Sequence, residues 1–556
     1  MIPWPGGVER HEGVDIFERA RSAKRGEAVA EWWRGAVIYQ IYPRSFCDGN
    51  GDGVGDLKGA ISRLNYLVDL GVEGIWLSPF FRSPMRDFGY DVSDYCDVDP
   101  VFGTLADFDD LLGEAHRRGL KVIIDQVYSH TSDQHPWFTE SRRSRDNPKA
   151  DWYVWADAKV DGGPPNNWIS LFGGQAWSWD TRRRQYYMHN FLSEQPDLNF
   201  HNPQVREAIL DIARFWLDRG VDGFRLDVAN FYFCDLQLRD NPPKRAGGGF
   251  ARPYQHQRHL YDRSQPENLT FMEEFRKLVD QYKDRMTVAE IGSDSYIRRS
   301  IEYTSPGRLH TAYNFMLLEN GPLTAALIRE ALSEWTSDEA WPSWSFSNHD
   351  VVRARTRWGG ENASDDFAAV LLGALFALRG TIFLYQGEEL GLPQADVPFD
   401  RLQDPEGKRF WPDSLGRDGC RTPMPWRADA PNAGFSRCEP WLPVDPRHQR
   451  SAVDRQLADA SSILQKTRKF IAFRQRHKAL RFGDIAFIDA SEQVLAFTRT
   501  HSEERLFCAF NLGRETTTVD LPGPAHLCAD FPLPARFEHG ALVLPPYGGA
   551  ILEMSI

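Results

Sequence analysis

A chain of 556 residues is longer than one hydrophobic core usually organises, so two or three folding units are expected. Hydrophobic residues at 42% and charged residues at 26% fit a globular protein, and a formal charge of −13 argues against nucleic acid or an acidic membrane as the main partner. Seven scattered Cys, odd in number and without zinc-finger spacing, read as free thiols in a reducing compartment. There is no apolar N-terminal signal and no apolar run of membrane-spanning length, so a cytoplasmic location is expected.

Residues 1–31 are charged and Gly-containing; they carry one predicted helix over 14–31 and are assigned no function. From Trp32 onward, short β-branched or aromatic runs alternate with amphipathic stretches, the rhythm of βα units around a parallel sheet. The predicted strands are 37–42 (VIYQIY), 73–79 (EGIWLSP), 121–127 (KVIIDQV), 221–228 (VDGFRLDV), 286–292 (MTVAEIG), 310–315 (HTAYNF), 343–350 (SWSFSNHD) and 381–387 (TIFLYQG). Between them, Phe108, Leu111, Leu112 and Ala115 recur at helical spacing before Gly119, and Ile209, Ile212, Ala213 and Trp216 do so before Gly220. The expected fold class is α/β: a (β/α)8 TIM barrel with an inserted lobe after strand 3 and a C-terminal all-β domain. An open doubly wound sheet is the alternative on this pattern alone.

The boundaries follow from composition. The barrel is expected over 32–130 and 200–480, ending in a long helix over 452–477. The inserted domain, 131–199, is rich in Trp, Gly and Pro and poor in helical periodicity. Short strand-like runs in 481–556 (IAFID, VLAFTR, RLFCAFN, TTVDL, ALVLP) suggest a β-sandwich.

An early loop, DGNGDGVGD (48–56), places Asp48, Asn50, Asp52 and Asp56 on alternate residues, with the Val54 carbonyl between. Oxygen donors on a Gly-rich loop make a cradle for a hard cation, with Ca²⁺ expected ahead of Mg²⁺. The plain alternative is an Asx-rich turn without metal. No organic cofactor is expected.

Barrel strands point their last side chains into the mouth, where catalytic groups usually sit. Here those ends carry Asp125 followed by His130, Arg225 with Asp227, Glu290, and His349 with Asp350. Desolvating that many carboxylates is costly, and one structural ion pair does not need three acids. Arg225 and Asp227 are two apart on a strand, so they share a face, and the guanidinium is expected to keep Asp227 ionised. Glu290, crowded by Asp227 and Asp350 in a partly buried cleft, is expected to keep its proton near neutral pH. An ionised nucleophile facing a protonated acid, about 5 to 5.5 Å apart, is what retaining glycoside cleavage requires.

The set DQVYSH (125–130), QPDLN (195–199), GFRLDVANF (223–231), AEIG (289–292), SNHD (347–350) and QGEELG (386–391) resembles glycoside hydrolase family 13, the α-amylase family. QPDLN together with GRDGCRTPMPW (416–426) is more similar to the α-glucosidase and oligo-1,6-glucosidase branch than to endo-acting amylases. The resemblance implies catalytic roles for Asp227 (nucleophile), Glu290 (general acid/base) and Asp350 (third acid, gripping sugar hydroxyls). It implies that His130 and His349 bind hydroxyls of the cleaved sugar, that Arg225 steadies the nucleophile, and that Tyr90 of GYDVSDY (89–95) is a stacking platform. It further implies that Asp91 and Arg421 clamp the terminal 4-hydroxyl, and that loop 48–56 is a structural calcium site. Val228 resembles the α-1,6-preferring members without settling linkage, Cys234 stands where relatives carry His, and 240–266 is placed near the acceptor site without orientation.

The function so implied is a retaining exo-acting α-glucosidase that hydrolyses short maltose- or isomaltose-type glucosides, with transglucosylation. Its partners are expected to be small α-glucosides and hydroxyl acceptors, with no nucleic acid or membrane, in a monomer or homodimer. A sucrose or maltose isomerase or glucosyltransferase of the same family is the first alternative. A non-catalytic binding subunit fits poorly, because all three acids are present.

Overall fold

The computed structural model describes residues 31–244, 252–292, 295–318, 321–337, 339–502, 504–538 and 540–555. The helix expected over 14–31 therefore lies outside the described residues but for its last position, and part of 240–266 does too. Eight strands close into one parallel barrel: β1 (Val37–Ile41), β2 (Gly74–Leu77), β3 (Lys121–Gln126), β4 (Gly223–Leu226), β5 (Met286–Ile291), β6 (Thr311–Asn314), β7 (Trp341–Trp344) and β8 (Thr381–Tyr385). Each pairs with its neighbours in chain order, and β8 returns to β1. The doubly wound alternative is thereby excluded.

Local chemistry explains the helices that wrap the barrel. In α1 (Leu105–Arg117), Thr104 accepts from the Asp107 N–H while the Asp107 side chain accepts from the Thr104 N–H. Phe108, Leu111, Leu112 and Ala115 form its buried face. In α2 (Pro203–Asp218), the Asn202 side chain caps the start, Pro203 fits the first turn, and Ile209, Ile212, Ala213 and Trp216 face inward. Gly119 and Gly220 end these segments with φ of 79° and 102°, a region open to Gly at little cost.

Alternate strand residues fill the barrel. Ile38, Trp76, Ile123, Val288, Tyr313, Trp341 and Phe383 make one apolar cluster from seven of the eight strands. The inward position on β4 at this level is Arg225, fully buried, with its guanidinium over Trp76 at 5.1 Å and Tyr313 at 5.8 Å. A cation thus stands on a floor of aromatic rings at the barrel mouth.

Two expected elements differ. The seventh strand runs over Trp341–Trp344 and not over 343–350. Pro342 is accommodated where β7 meets β6, although a Pro normally argues against a central strand. His349 and Asp350 consequently stand on the loop beyond the strand. The long helix expected over 452–477 is two helices, Val453–Ala458 and α3 (Ile463–Arg476), because the Ser462 side chain accepts from the Gln465 N–H and starts a new helix.

The segment between β3 and α2 holds a three-stranded antiparallel sheet, Trp155–Ala156, Trp177–Asp180 and Gln185–Met188, around Trp168 and Trp177. Near the C-terminus, a five-stranded and a three-stranded antiparallel sheet share a core of Val494, Ala496, Phe507, Val519, Leu542 and Leu552. Arg474 on α3 anchors that end of the barrel, donating to the carbonyls of Gly35, Phe376, Leu378 and Gly380. All seven Cys are free thiols. Among the described residues, no helix is long and apolar enough to cross a membrane.

Candidate active site

The site is built on strand register. Asp125 on β3 lies opposite Arg225 on β4, and Glu290 on β5 lies opposite Tyr313 on β6. Arg225 Nη1 donates to Asp125 Oδ1 at 2.7 Å and to Asp227 Oδ1 at 2.5 Å. Its Nη2 donates to Glu290 Oε2 at 2.6 Å and to the Tyr313 hydroxyl at 2.8 Å. One guanidinium therefore holds Asp227 and Glu290 side by side on a single wall. The carboxyl-bearing side chains of Asp125, Asp227 and Glu290 are 0%, 8% and 4% exposed, so their charges are almost fully desolvated.

Three buried carboxyl groups around one cation cannot all ionise cheaply. Burial pushes Glu290 up to about 8; Arg225 opposes that rise, while Asp227 and Asp350 add to it. Glu290 Oε2 accepts from Arg225 and from the Val228 N–H at 3.1 Å, which leaves Oε1 as the oxygen to carry a proton. Asp227 departs from expectation: its carboxyl is also raised, by burial first, with Arg225 pulling down and Asp125 pushing up. The single positive charge of Arg225 is shared among three acids, so it does not hold Asp227 in the ordinary carboxylate range. Asp227 Oδ2 has no hydrogen-bond partner among the described residues and is free to approach an electrophile.

The turn after β4 is strained. Val228 has φ of 35°, unusual for a β-branched residue, and this conformation presents its N–H to Glu290.

Asp350 faces this pair from the loop after β7. It is held well below the usual carboxylate range: burial raises it, but His349, Arg421 and Arg417 outweigh that effect. Arg421 Nη2 donates to Asp350 Oδ1 at 2.8 Å, and its Nε donates to the His349 carbonyl at 2.7 Å. The Gln40 amide donates to His349 Nδ1 at 2.8 Å, which fixes the ring proton on Nε2, facing Asp350 at 3.2 Å and the Tyr90 hydroxyl. Tyr90 is buried and stacks on His349 with ring centroids 5.4 Å apart and planes 8° from parallel. His130 directs Nε2 to the Tyr90 carbonyl at 2.9 Å, and burial lowers its pKa to about 4, so it is neutral.

The expected pairing of Asp91 with Arg421 does not form. Asp91 is wholly buried, and its carboxylate accepts from Ser83 Oγ and from the N–H groups of Arg86 and Asp87, shaping the loop after β2. The charges that meet are Asp87 and Arg417: Nη2 of Arg417 donates to Asp87 Oδ1 at 2.7 Å and to Asp404 Oδ1 at 2.7 Å, while Nη1 reaches Asp350 Oδ1 at 3.5 Å. The Arg417 guanidinium also stands 5.1 Å over the Phe172 ring of the inserted lobe. This cluster closes one end of the site. Both residues lie in or beside motifs visible in the sequence, four positions from Asp91 and Arg421, and spacing alone does not say which Asp and which Arg turn inward.

Loop 48–56 stands apart from these acids. Asp48 accepts from the Gly51 and Gly53 N–H groups, and Asp56 accepts from Gly49, Asn50 and Gly59. Asn50 and Asp52 are exposed and bonded to each other at 3.0 Å. The donors are oxygens of the type a hard cation takes, but they are tied to the loop's own amides. Among the described residues, no group of three or more His, Cys, Asp or Glu is disposed to hold a metal. The last resembling motif, QGEELG, serves packing: Glu389 is buried and accepts from the hydroxyls of Tyr39 at 2.8 Å and Tyr66 at 2.7 Å.

Comparison with known proteins agrees with this geometry. Residues 40–483 match the family described as "Alpha amylase, catalytic domain". A probable alpha-glucosidase of Rhizobium meliloti (strain 1021) is 54% identical over 507 residues, spanning 89% of this chain and 92% of the relative. An oligo-1,6-glucosidase of Heyndrickxia coagulans is 38% identical, spanning 89% and 94%. The crystal structure of an alpha-glucosyl transfer enzyme, XgtA, superposes with a TM-score of 0.92 at 55% identity, covering 94% of this chain and 99% of that one.

Because Asp227 is the surplus acid around Arg225, Asp227→Asn is expected to raise the melting temperature by about one degree, an effect worth about 1 kcal/mol. The same variant is expected to lose roughly 10⁴-fold or more of glucoside turnover. Calorimetry and p-nitrophenol release check both, and appreciable residual turnover contradicts the assignment.

Proposed function

The chain belongs to the α-amylase family of glycoside hydrolases, and on that premise we propose that it is an α-glucosidase that removes terminal glucose from short α-glucosides with net retention. The observation that carries this reading is the pair of oxygens without a partner among the described residues, Asp227 Oδ2 and Glu290 Oε1, on two carboxyl groups bridged by Arg225. Asp227 Oδ2 attacks C1 of the glucose while Glu290 Oε1 gives its proton to the leaving oxygen. Water, or the hydroxyl of an acceptor, then attacks C1 of the glucosyl ester and returns a proton to Glu290. The ionised Asp350 supplies acceptors for the sugar hydroxyls, while the ring nitrogens of the neutral His349 and His130 already have protein partners beside it.

Exo-attack follows from Asp87, Arg417, Asp404 and Phe172, which block the chain beyond one glucose. Support for α-glucosides comes from the named relatives, and support for transfer comes from XgtA. The two catalytic acids set opposite limbs of the pH profile. Glu290 must be protonated, so kcat/KM is expected to fall as pH rises through about 8. Asp227 must be ionised, so the acidic limb lies above the ordinary carboxylate range.

We further propose that loop 48–56 takes Ca²⁺ through Asp48, Asn50, Asp52, Asp56 and the Val54 carbonyl, away from the chemistry and as a structural ion. The donor chemistry supports it.

Proton NMR of the first product released from maltose and isomaltose tests the reaction: α-glucose is expected, and initial β-glucose contradicts retention. Glu290→Gln is expected to flatten the alkaline limb and to cost activity about 10²- to 10⁴-fold, less with a p-nitrophenyl leaving group, which needs little proton assistance. Millimolar Ca²⁺ is expected to raise the melting temperature of chelator-treated protein, and an unchanged value rejects the metal.

A further inference from the structure

Among the described residues, Arg263 is a buried cation outside the catalytic cluster that meets neither an acid nor a carbonyl. Arg263 lies on the segment that follows β4, beside Ser264, whose N–H donates to the Asn230 carbonyl at 2.7 Å. Asn230 Nδ2 donates to Ser264 Oγ at 2.8 Å and to the Gly292 carbonyl at 2.7 Å. The Arg263 backbone is thus tied to the ends of the two strands that present Asp227 and Glu290. Its guanidinium stands 5.3 Å over the Phe231 ring and 5.6 Å over the Tyr254 ring. Its Nη1 is 3.7 Å from where a Cβ on Gly292, two residues past Glu290, would lie.

Arg263 is only 8% exposed, yet its guanidinium makes no hydrogen bond or ion pair among the described residues. None of its nitrogens is wholly sealed from solvent. Asp262, the adjacent acid, is turned to His259 at 2.6 Å. Buried arginines that serve the fold look different: Arg474 and Arg499 are met by main-chain carbonyls. Two aromatic faces fix the plane of Arg263 and leave its N–H edges unmatched, the geometry that suits a two-oxygen anion.

Position selects the ligand. Asp87, Arg417 and Asp350 occupy the side of the site built on β2, β7 and β8, whereas Arg263 lies beyond Glu290 on the β4–β5 side. That is where the leaving group departs and the acceptor enters. We propose that Arg263 binds a carboxylate or phosphate carried by the leaving group or acceptor, making anionic hydroxyl compounds preferred glucosyl acceptors. The proposal rests on the double-displacement reading above. In the transfer step the acceptor oxygen forms a bond to C1, the bond from C1 to the Asp227 oxygen breaks, and the acceptor hydroxyl proton passes to Glu290. The oxyanion on Arg263 takes no part in bond changes; it orients the acceptor.

The test uses the full chain with p-nitrophenyl α-glucoside as donor and two competing acceptor pairs, 4-hydroxybenzoate against 4-hydroxybenzyl alcohol, and glucose 6-phosphate against glucose. Each pair partitions the same glucosyl-enzyme, so the product ratio reports acceptor selection alone. A preference of about tenfold or more for the anionic member of at least one pair is expected, and the pair that shows it identifies the oxyanion. Arg263→Gln is expected to bring that ratio to about one, with Arg263→Lys between, because it keeps the charge and loses the fork. A wild-type ratio of one or below in both pairs, or a ratio unchanged in both variants, overturns the proposal. Failure to release p-nitrophenol at all overturns the catalytic reading itself, and this inference with it.

Discussion

A single guanidinium on an aromatic floor organises the mouth of this barrel. Arg225 satisfies Asp125, Asp227 and Glu290 together, and with only one charge it leaves part of their mutual repulsion standing. That shortfall is the source of the chemistry. Were there one arginine for each acid, every carboxyl would ionise and no proton would remain for a leaving oxygen. Because burial and crowding act together, Glu290 keeps its proton to about 8. Such an arrangement opposes folding locally, and the apolar interior of the barrel holds it in place.

Geometry outside that cluster divides the work by side. Toward β7 and β8, Asp350 stays ionised because His349, Arg421 and Arg417 outweigh its burial, and Arg417 also joins Asp87 and Asp404. Toward β4 and β5, the chain is constrained and apolar. Val228 takes a strained backbone to point its N–H at Glu290, and Arg263 stands over Phe231 with no acid paired to it among the described residues. In the proposed reaction the Asp350 side reads glucose, and the other side is free to differ in what accepts it.

Much of this was legible from residue order. Strand-end Asp227 and Glu290, with Arg225 two residues before Asp227, are fixed by the period of a β-strand, and seven of the eight barrel strands fall where alternation places them. The seventh starts two residues earlier and runs through Pro342, a residue that normally argues against a central strand. The ionisation of Asp227 was misjudged for a different reason: a sequence shows that an arginine is near, but not how many acids draw on it. The Asp91 and Arg421 pairing failed on orientation. Asp91 is consumed by three donors of its own loop, and that competition is set by tertiary placement of Ser83, Arg86 and Asp87. Arg263 is invisible to motif reading, because its distinction is the absence of a partner among the described residues.

The most direct measurement follows the Glu290 carboxyl by difference infrared spectroscopy across pH, in wild-type protein and in Asp227→Asn, with Glu290→Gln to assign the band. The account requires a protonated Glu290 at neutral pH that titrates near 8, and a lower titration once the Asp227 charge is removed. A Glu290 already ionised at pH 7, or one whose titration ignores Asp227, would show that the shared guanidinium does not set the proton inventory of this site.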